Sequence, residues 1–257
     1  MITNCVIYGP VPSWRLGRSL GVDLISTIGK TCSFDCIYCQ LGRTLNPLTE
    51  RKQFVNIVNL AKDLKKLEDL RADYVTFSGV GEPTLASNLG EAIELIRSIV
   101  RLPVAVLTNS SLMPRKEVRQ ELSRADLVVA KLDAPSDELY KTINNPIVEY
   151  SLNEILQGIK NFRSEYKGKL ALQMMFLEAN KDYAGEMARL AKQISPDQVQ
   201  INTPLRPCTV KPLIPDTICS IKGEFSDLNN VITVYEAPRF EAVPLNKEET
   251  WRRRPEI

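Results

Sequence analysis

Histidine is absent from the 257-residue chain. Its absence excludes Ser-His-Asp triads, Cys-His nucleophile pairs and zinc sites with histidine ligands. Proton transfer near neutral pH would therefore fall to Asp, Glu, Lys, Cys, Tyr or the substrate itself. If the protein is an enzyme, we expect a cofactor to supply the difficult part of its chemistry.

Long apolar runs are also missing. The longest, such as residues 102–107 and 174–177, are far shorter than the roughly 18 residues that a membrane helix needs. Residues 1–10 lack the basic start and apolar core of a signal peptide. The net charge of +2 gives no strong electrostatic case for nucleic acid or membrane binding. These features predict a cytosolic protein with no membrane partner.

The apolar pattern predicts an α/β fold. A hydrophobic content of 44% with 25% charged residues is ordinary for a globular protein, and the length suits one large domain, or one domain with an appendage. Short apolar runs alternate with amphipathic helical segments. The predicted strands are residues 19–25, 74–77, 104–107, 127–131, 170–177 and 198–202. This alternation favours a parallel sheet, either open or closed into all or part of a barrel.

Residues 203–257 have a different composition from residues 1–202. Seven prolines interrupt them, and only residues 231–235 resemble a strand. We therefore predict a domain over 1–202 and an irregular, proline-rich C-terminal extension over 203–257, packed on the barrel. The basic run 251–254 is expected to be a solvated tail, with an anion or RNA contact as the alternative.

Three cysteines follow the first predicted strand with the spacing C-x3-C-x2-C: Cys32, Cys36 and Cys39. A reducing compartment disfavours a disulfide, and three thiols cannot all pair. Structural zinc normally takes four protein ligands, and no fourth cysteine is near. Three thiolates on a tight loop suit a [4Fe–4S] cluster that leaves one iron without a protein ligand.

This triplet resembles the signature of the radical S-adenosylmethionine (radical SAM) superfamily, which has an aromatic residue just before the third cysteine, here Tyr38. The resemblance implies a partial (β/α)6 TIM-type barrel and a [4Fe–4S] cluster held by the three cysteines. It also implies that the amino and carboxylate groups of SAM bind the open iron. Reductive cleavage of SAM would then give methionine and a 5′-deoxyadenosyl radical, which abstracts hydrogen from a substrate.

A second motif, Gly79-Val80-Gly81-Glu82-Pro83, follows the second predicted strand. It resembles the glycine-rich motif with which the family binds the amino group of the methionine moiety. Glycines let backbone carbonyls approach a ligand closely, and a glutamate accepts hydrogen bonds from an ammonium group. The chain departs from the family pattern in placing Val80 between the two glycines.

Other strand ends supply further candidates, because catalytic groups of such barrels lie at the carboxyl ends of the strands. By resemblance, Asn109 and either Lys131 or Asp133 would hold the SAM ribose and carboxylate, and Ile201 would lie against adenine. A capping or turn role is the alternative for each of them.

Residues 8–23 and 40–44 resemble one subgroup of small iron–sulfur oxidoreductases, related to the wybutosine tRNA-modifying enzymes and the molybdenum-cofactor cyclases. The resemblance implies a nucleobase or tRNA substrate, or a small heterocyclic or phosphorylated metabolite. Arg15, Arg18 and Arg43 are candidates to bind a phosphate or carboxylate. The alternative is that they form ion pairs with nearby aspartates that hold the cluster loop.

The remaining cysteines are Cys5, Cys208 and Cys219. The wybutosine relatives carry added cysteines for a second cluster, and barrel closure would bring the two ends of this chain together. A second cluster at these three residues is therefore one hypothesis, and ordinary buried or free thiols are the other.

The sequence contains no segment resembling a flavodoxin-like donor domain, so we expect an external ferredoxin or flavodoxin as the reductant. Three alternative functions remain at this stage. One is an activase that makes a glycyl radical on a partner protein, and another is an iron–sulfur electron carrier that does not cleave SAM. The third is a zinc-stapled binding module.

Overall fold

The computed structural model describes residues 6–65, 67 and 71–255. Its strands are β1 (Ile7–Ser13), β2 (Gly17–Val22), β3 (Thr31–Cys32), β4 (Asn46–Pro47), β5 (Tyr74–Phe77), β6 (Val104–Thr108), β7 (Leu127–Lys131), β8 (Lys169–Met175), β9 (Gln198–Asn202) and β10 (Val231–Thr233). Its helices are α1 (Ile57–Leu64), α2 (Leu89–Ile99), α3 (Lys116–Leu122), α4 (Asp137–Asn144), α5 (Leu152–Glu165), α6 (Ala184–Ile194), α7 (Pro215–Gly223) and α8 (Lys247–Arg253).

Eight of these strands form one curled sheet in the order β1-β2-β5-β6-β7-β8-β9-β10. The β1–β2 pair is antiparallel, and every later pair in the sheet is parallel. The order starts at β1 and ends at β10, so the sheet forms a partial barrel. The predicted partial TIM-type barrel is confirmed, and its six predicted strands correspond to β2 and β5–β9.

The apolar residues of the strands and of the inner helix faces are buried and form the core. Val104 and Val106 on β6 are fully buried, as are Ala92 and Ile93 on the inner face of α2. Parallel strands need a crossover connection, and the helices that provide it cover the sheet and give it a continuous core. At the start of α5, Ser151 and Glu154 form a capping box that fixes the helix terminus.

The structure differs from the sequence-based expectation at β1 and in the C-terminal extension. Strand β1 was not predicted, because its apolar residues are interrupted by glycine and proline. Residues 203–255 are more regular than expected, since they contain the helices α7 and α8. The strand-like run 231–235 is confirmed as β10, which extends the main sheet. Among the described residues, no helix has the length and apolar character needed to cross a membrane.

The prediction that residues 251–254 form a solvated tail is wrong. Arg253 belongs to α8 and its side chain is completely buried. Helix α8 packs against β1, so the turn of the helix carries Arg253 inward, whereas Trp251 is exposed. The charge is accommodated because a buried aspartate, described below, lies next to it.

Candidate functional site

A cavity of about 570 Å³ opens at the carboxyl ends of the parallel strands. This is where the active sites of α/β barrels lie. The strand ends that line it contribute Ser78 and Gly79 after β5, Lys131 on β7, Gln173 and Met175 on β8, and Asn202 and Thr203 at the end of β9. Cys39 and Tyr38 form part of the same wall, so the third cysteine of the triplet borders the cavity.

Residues 32–39, called the cysteine loop below, are held by backbone hydrogen bonds on two sides. On one side, the Ile37 amide donates to Ile143 O at 3.0 Å, and the Asp35 amide donates to Asn144 O at 3.1 Å. On the other, the Thr31 amide donates to Val80 O at 3.0 Å. The loop is therefore fixed between the end of α4 and the 79–83 segment.

Two cysteine sulfurs accept side-chain amide hydrogen bonds. Asn109 Nδ2 donates to Cys32 Sγ at 3.6 Å, and Asn144 Nδ2 donates to Cys36 Sγ at 3.5 Å. By resemblance, Asn109 is expected, with Lys131 or Asp133, to hold the SAM ribose and carboxylate. In the structure its amide donates to the Cys32 sulfur and to Ser33 Oγ, the latter at 2.9 Å. Hydrogen bonds to sulfur are among the factors that tune iron–sulfur clusters.

Lys30 is a buried cation beside the three thiols. Burial acts to lower its pKa, but the electrostatic influence of Cys39, Cys32 and Cys36 outweighs burial and raises it. Lys30 Nζ also lies 3.6 Å from Asp35 Oδ1. This lysine, which sequence analysis missed, compensates negative charge on the cysteine loop.

The three thiols fit an iron–sulfur cluster by their chemistry and surroundings. Burial first, and then Glu82 and Cys36, raise the pKa of the Cys32 thiol to about 12. A thiol of this kind binds metal by losing its proton, and the cation and amide donors around it favour the thiolate. Within the described part of the chain, no three His, Cys, Asp or Glu side chains are arranged to hold a single metal ion.

The 79–83 segment packs so closely against Thr31 and Asp23 that there is no room for a side chain at positions 79 and 81. A Cβ at position 81 would overlap the carbonyl oxygen of Thr31, directly before Cys32, and a Cβ at 79 would overlap the Asp23 carboxylate. The two glycines thus allow contact between the segment and other parts of the protein, and only Gly79 lines the cavity. Val80, the departure from the family pattern, is buried.

Glu82 is buried and accepts four hydrogen bonds from the chain itself. Oε1 accepts from the Thr84 amide and hydroxyl and from Thr108 Oγ1, at 3.1, 2.8 and 2.7 Å. Oε2 accepts from the Asn109 amide at 2.7 Å. Burial raises the pKa of this carboxyl group in spite of these bonds. Glu82 caps the 3-10 turn that begins at Pro83, and it ties the end of β5 to the end of β6.

Tyr38, Lys131 and Asp133 form one hydrogen-bonded group. The Tyr38 hydroxyl donates to Asp133 Oδ2, and Lys131 Nζ donates to the Tyr38 oxygen at 2.6 Å. Asn144 Nδ2 donates to the same Asp133 oxygen at 2.8 Å, and the Met175 amide donates to Oδ1 at 2.9 Å. Asp133 is 3% exposed, so it orients its neighbours, while Lys131 reaches the cavity.

Ile201, expected to contact adenine, is completely buried in the main core. Its neighbour on β9, Asn202, lines the cavity instead. Successive side chains of a strand point to opposite faces of the sheet. Because Asn202 points toward the cavity, its neighbour Ile201 points away from the cavity and into the core.

The hypothesis of a second cluster gains no support from the described cysteines. Cys208 is partly buried against a small apolar cluster, whereas Cys219 lies exposed on α7. The members of this cluster are Tyr38, Ile143, Met175 and Leu177. The third cysteine of that hypothesis, Cys5, lies outside the described residues.

The three arginines near the cysteine loop have different surroundings. The Arg18 guanidinium makes two hydrogen bonds to Asp73, at 3.0 and 2.7 Å, so its partner is an aspartate that the sequence had not suggested. Arg43 is exposed. Arg15 lines the cavity, where Arg206, Arg239, Arg253 and Arg254 join it from the C-terminal extension. Sequence analysis missed Arg206 and Arg239, which are distant in the chain, and considered Arg253 and Arg254 only through the alternative of an anion or RNA contact for the run 251–254.

Comparisons with known proteins agree with this architecture. The model of the Radical SAM superfamily matches residues 26–191. A UPF0026 protein of Methanocaldococcus jannaschii is 38% identical over 235 residues, which cover 88% of this chain and 72% of that protein.

Two solved structures share the fold at low sequence identity. SuiB of Streptococcus suis, bound to S-adenosylmethionine, gives a TM-score of 0.63 at 14% identity, over 80% of this chain and 48% of SuiB. Archaeal TYW1 gives a TM-score of 0.56 at 15% identity, over 82% of this chain and 72% of TYW1. The chain therefore spans about half the length of SuiB.

Proposed function

The chain belongs to the radical SAM superfamily, and we propose that Cys32, Cys36 and Cys39 hold its [4Fe–4S] cluster at the edge of the strand-end cavity. The superfamily assignment makes the protein an enzyme of SAM-dependent radical chemistry. The observation that carries the proposal is the position of the cysteine loop, which brings Cys39 to the cavity wall while side-chain amides donate to the sulfurs of Cys32 and Cys36.

When bound, the cluster and SAM would supply reductive cleavage of SAM and a 5′-deoxyadenosyl radical that abstracts hydrogen from the substrate. The chain's own residues position and enclose these groups. Gly79 and Lys131 line the cavity next to Cys39 and are the SAM-contacting candidates. Glu82 and Gly81 act one step away, because the Glu82 amide donates to Thr31 O and Gly81 lies against the same carbonyl group. Pro83 begins the 3-10 turn that Glu82 caps.

Tyr38, Asp133 and Asn109 are positioning residues in this proposal. Tyr38 and Asp133 fix the Lys131 ammonium group, whose Nζ also lies 4.2 Å from the centre of the Tyr38 ring. Asn109 holds the Cys32 sulfur and, through Ser33 Oγ, the next residue of the loop. In each case the contact is with a residue that would hold SAM or the cluster, or with the cysteine loop itself. These three residues can therefore position the site without touching SAM.

The substrate would enter the same cavity, and we propose a nucleobase, free or in tRNA, or a small heterocyclic or phosphorylated metabolite. The cavity supports this class because aromatic side chains and arginines both line it. Radical SAM enzymes need an electron donor, and we propose a separate ferredoxin or flavodoxin for this role.

The test is anaerobic reconstitution with iron and sulfide, followed by dithionite and SAM, with 5′-deoxyadenosine measured by mass spectrometry. We expect product from the wild type and from Cys219→Ala, whose thiol is exposed on α7. We expect no product and reduced iron content for Cys36→Ala.

Other outcomes would favour the other functions. A reduced cluster whose EPR signal is unchanged by SAM would indicate an electron carrier and overturn the proposal. Zinc without iron and sulfide in elemental analysis would indicate a structural metal site.

A further inference from the structure

The charged side chains that line the described cavity are all cationic. Six of the described residues that line it are cationic, namely Arg15, Lys131, Arg206, Arg239, Arg253 and Arg254, and none of the described lining residues is acidic. The whole chain has a net charge of only +2. Positive charge is therefore concentrated at this cavity, which raises the local concentration of anions there.

Two of these cations are balanced by carboxylates behind the wall. Arg253 Nε pairs with Asp23 Oδ2 at 2.8 Å, and Lys131 Nζ lies 3.6 Å from Asp133 Oδ2. These two residues therefore add little net charge to the cavity, and the argument rests on Arg15.

Arg15 is the cation with the clearest need for an anion. Its Nε is buried and has no hydrogen-bond partner among the described residues. Burial, and next the nearby charge of Arg254, lower the pKa of its guanidinium group to about 10. A buried donor without an acceptor and two like charges close together are both unfavourable, and an anion between them relieves both.

The C-terminal extension completes this wall through specific contacts. Arg254 Nη2 donates to Pro12 O, in the strand that leads to Arg15. Arg206 Nη1 donates to Gln40 Oε1 at 2.6 Å, and Gln40 Nε2 donates to Arg253 O at 3.3 Å. Gln40 directly follows Cys39, so this chain of contacts links the arginines to the cysteine loop.

The geometry points to a phosphate subsite for the substrate, formed by Arg15 and Arg254 with Arg206 and Arg239 at its rim. Planar guanidinium groups bind phosphate oxygens in pairs. Tyr235 and Trp14 line the same cavity and offer apolar surface to an attached ring, and the Arg15 guanidinium already lies 5.1 Å from the centre of the Trp14 ring. The substrate class is thus a phosphate ester of an aromatic heterocycle. This inference rests on the proposed function, because it takes the cavity beside the cysteine loop as the substrate site.

The test measures binding by calorimetry to anaerobically reconstituted protein saturated with SAM, without a reductant. The probes are guanosine, guanosine 5′-monophosphate and a short guanosine-containing RNA, since adenosine compounds would compete with SAM. We expect the monophosphate or the RNA to bind roughly tenfold more tightly than guanosine. Tighter binding of the monophosphate would identify a free metabolite as the source of the phosphate, and tighter binding of the RNA would identify a nucleic acid.

The variants Arg15→Gln and Arg254→Gln should each lose this preference, while Arg15→Lys should retain part of it. The matched control is Arg101→Gln, an exposed arginine before β6 at the opposite end of the barrel. Circular dichroism identifies any variant that fails to fold. If one of the two glutamine variants is misfolded, the binding preference of the other one tests the inference.

Equal binding of guanosine and both phosphate probes, or no binding of any probe, would overturn the inference. So would a loss of SAM affinity in Arg15→Gln with unchanged affinity for the phosphate probes, because the anion bound by Arg15 would then be the carboxylate of SAM. Wild-type protein that shows the preference but forms no 5′-deoxyadenosine would contradict the proposed function and leave the phosphate subsite intact.

Discussion

Arg253 and Asp23, 230 residues apart in the chain, form a fully buried ion pair in which Nε and Oδ2 are 2.8 Å apart. The same Asp23 carboxylate accepts hydrogen bonds from the amides of Ser26, at 2.9 Å, and of Val80, at 3.3 Å. The last turn of α8 is thereby connected to the end of β2 and to the 79–83 segment. A single buried carboxylate joins the C-terminal extension to the site.

Replacing Arg253 by methionine leaves the Asp23 charge buried without its cation. We expect the free energy of unfolding to fall by about 3–5 kcal/mol, the usual cost of removing one partner of a buried pair. Urea unfolding of the cluster-free protein measures this difference. The control is Arg189→Met, which removes an exposed pair with Glu186 and should change stability by less than about 1 kcal/mol. Similar losses in the two variants would contradict the structure.

Gly81→Ala places a methyl group against the Thr31 carbonyl oxygen, a backbone atom that cannot move away as a side-chain end can. We expect a loss of about 1–3 kcal/mol in unfolding free energy and a lower iron content after reconstitution, because Thr31 precedes Cys32. Gly223→Ala on α7 is the matched control, since a Cβ there meets no atom within 4 Å. This control should gain up to about 1 kcal/mol from the better helix propensity of alanine. Iron retained at wild-type levels in Gly81→Ala would refute the close contact.

Asn109→Ala removes the amide hydrogen bond to Cys32 Sγ. Loss of a donor makes the reduced, more negative state of a cluster less favourable, so we expect its midpoint potential to fall by on the order of tens of millivolts. A redox titration followed by EPR measures the potential directly, without turnover. Asn161→Ala should leave the potential unchanged, because Asn161 is a half-buried residue on α5 that accepts a hydrogen bond from Gln157 Nε2 and makes no contact with the cysteine loop. An unchanged potential in Asn109→Ala would show that this amide does not act on the cluster.

The free energy of unfolding should decrease at alkaline pH because of the raised pKa of buried tyrosines such as Tyr166. Burial raises the pKa of Tyr166, whose hydroxyl donates to Ala125 O at 2.9 Å. In the unfolded chain this phenol titrates near its ordinary pKa of about 10, so its contribution to stability is complete below that pH and is lost as the pH rises toward the folded-state pKa. We expect the unfolding free energy to fall above about pH 10, by up to roughly 1.4 kcal/mol per pH unit for this group. Tyr166→Phe should show a shallower slope, and identical slopes for the two proteins would disprove this assignment.

The barrel and the cysteine loop were predictable because their signals are local. Each of the six strands found from the sequence is a short apolar run between amphipathic segments, and β5, β7 and β9 were predicted with the bounds that the structure shows. The three cysteines lie within eight residues on one loop, so their spacing alone indicates shared chemistry. The roles of single residues were harder to predict. Ile201 and Asn202 are adjacent on β9 and point to opposite faces of the sheet. Only the way β9 packs in the folded barrel decides which of the two faces the cavity.

The sequence by itself determined the fold class, the cysteine triplet and the glycine-rich segment, because hydrophobic periodicity and short spacings are set within a few residues. Tertiary structure alone decided the partners of those residues. It showed that Glu82 and Asp133 accept hydrogen bonds from the chain itself, and that the glycines of the 79–83 segment make room for Thr31 and Asp23. It also brought arginines from the two ends of the chain to one cavity. Buried charges and close backbone contacts depend on which distant segments meet, and that is fixed only when the barrel packs as a whole.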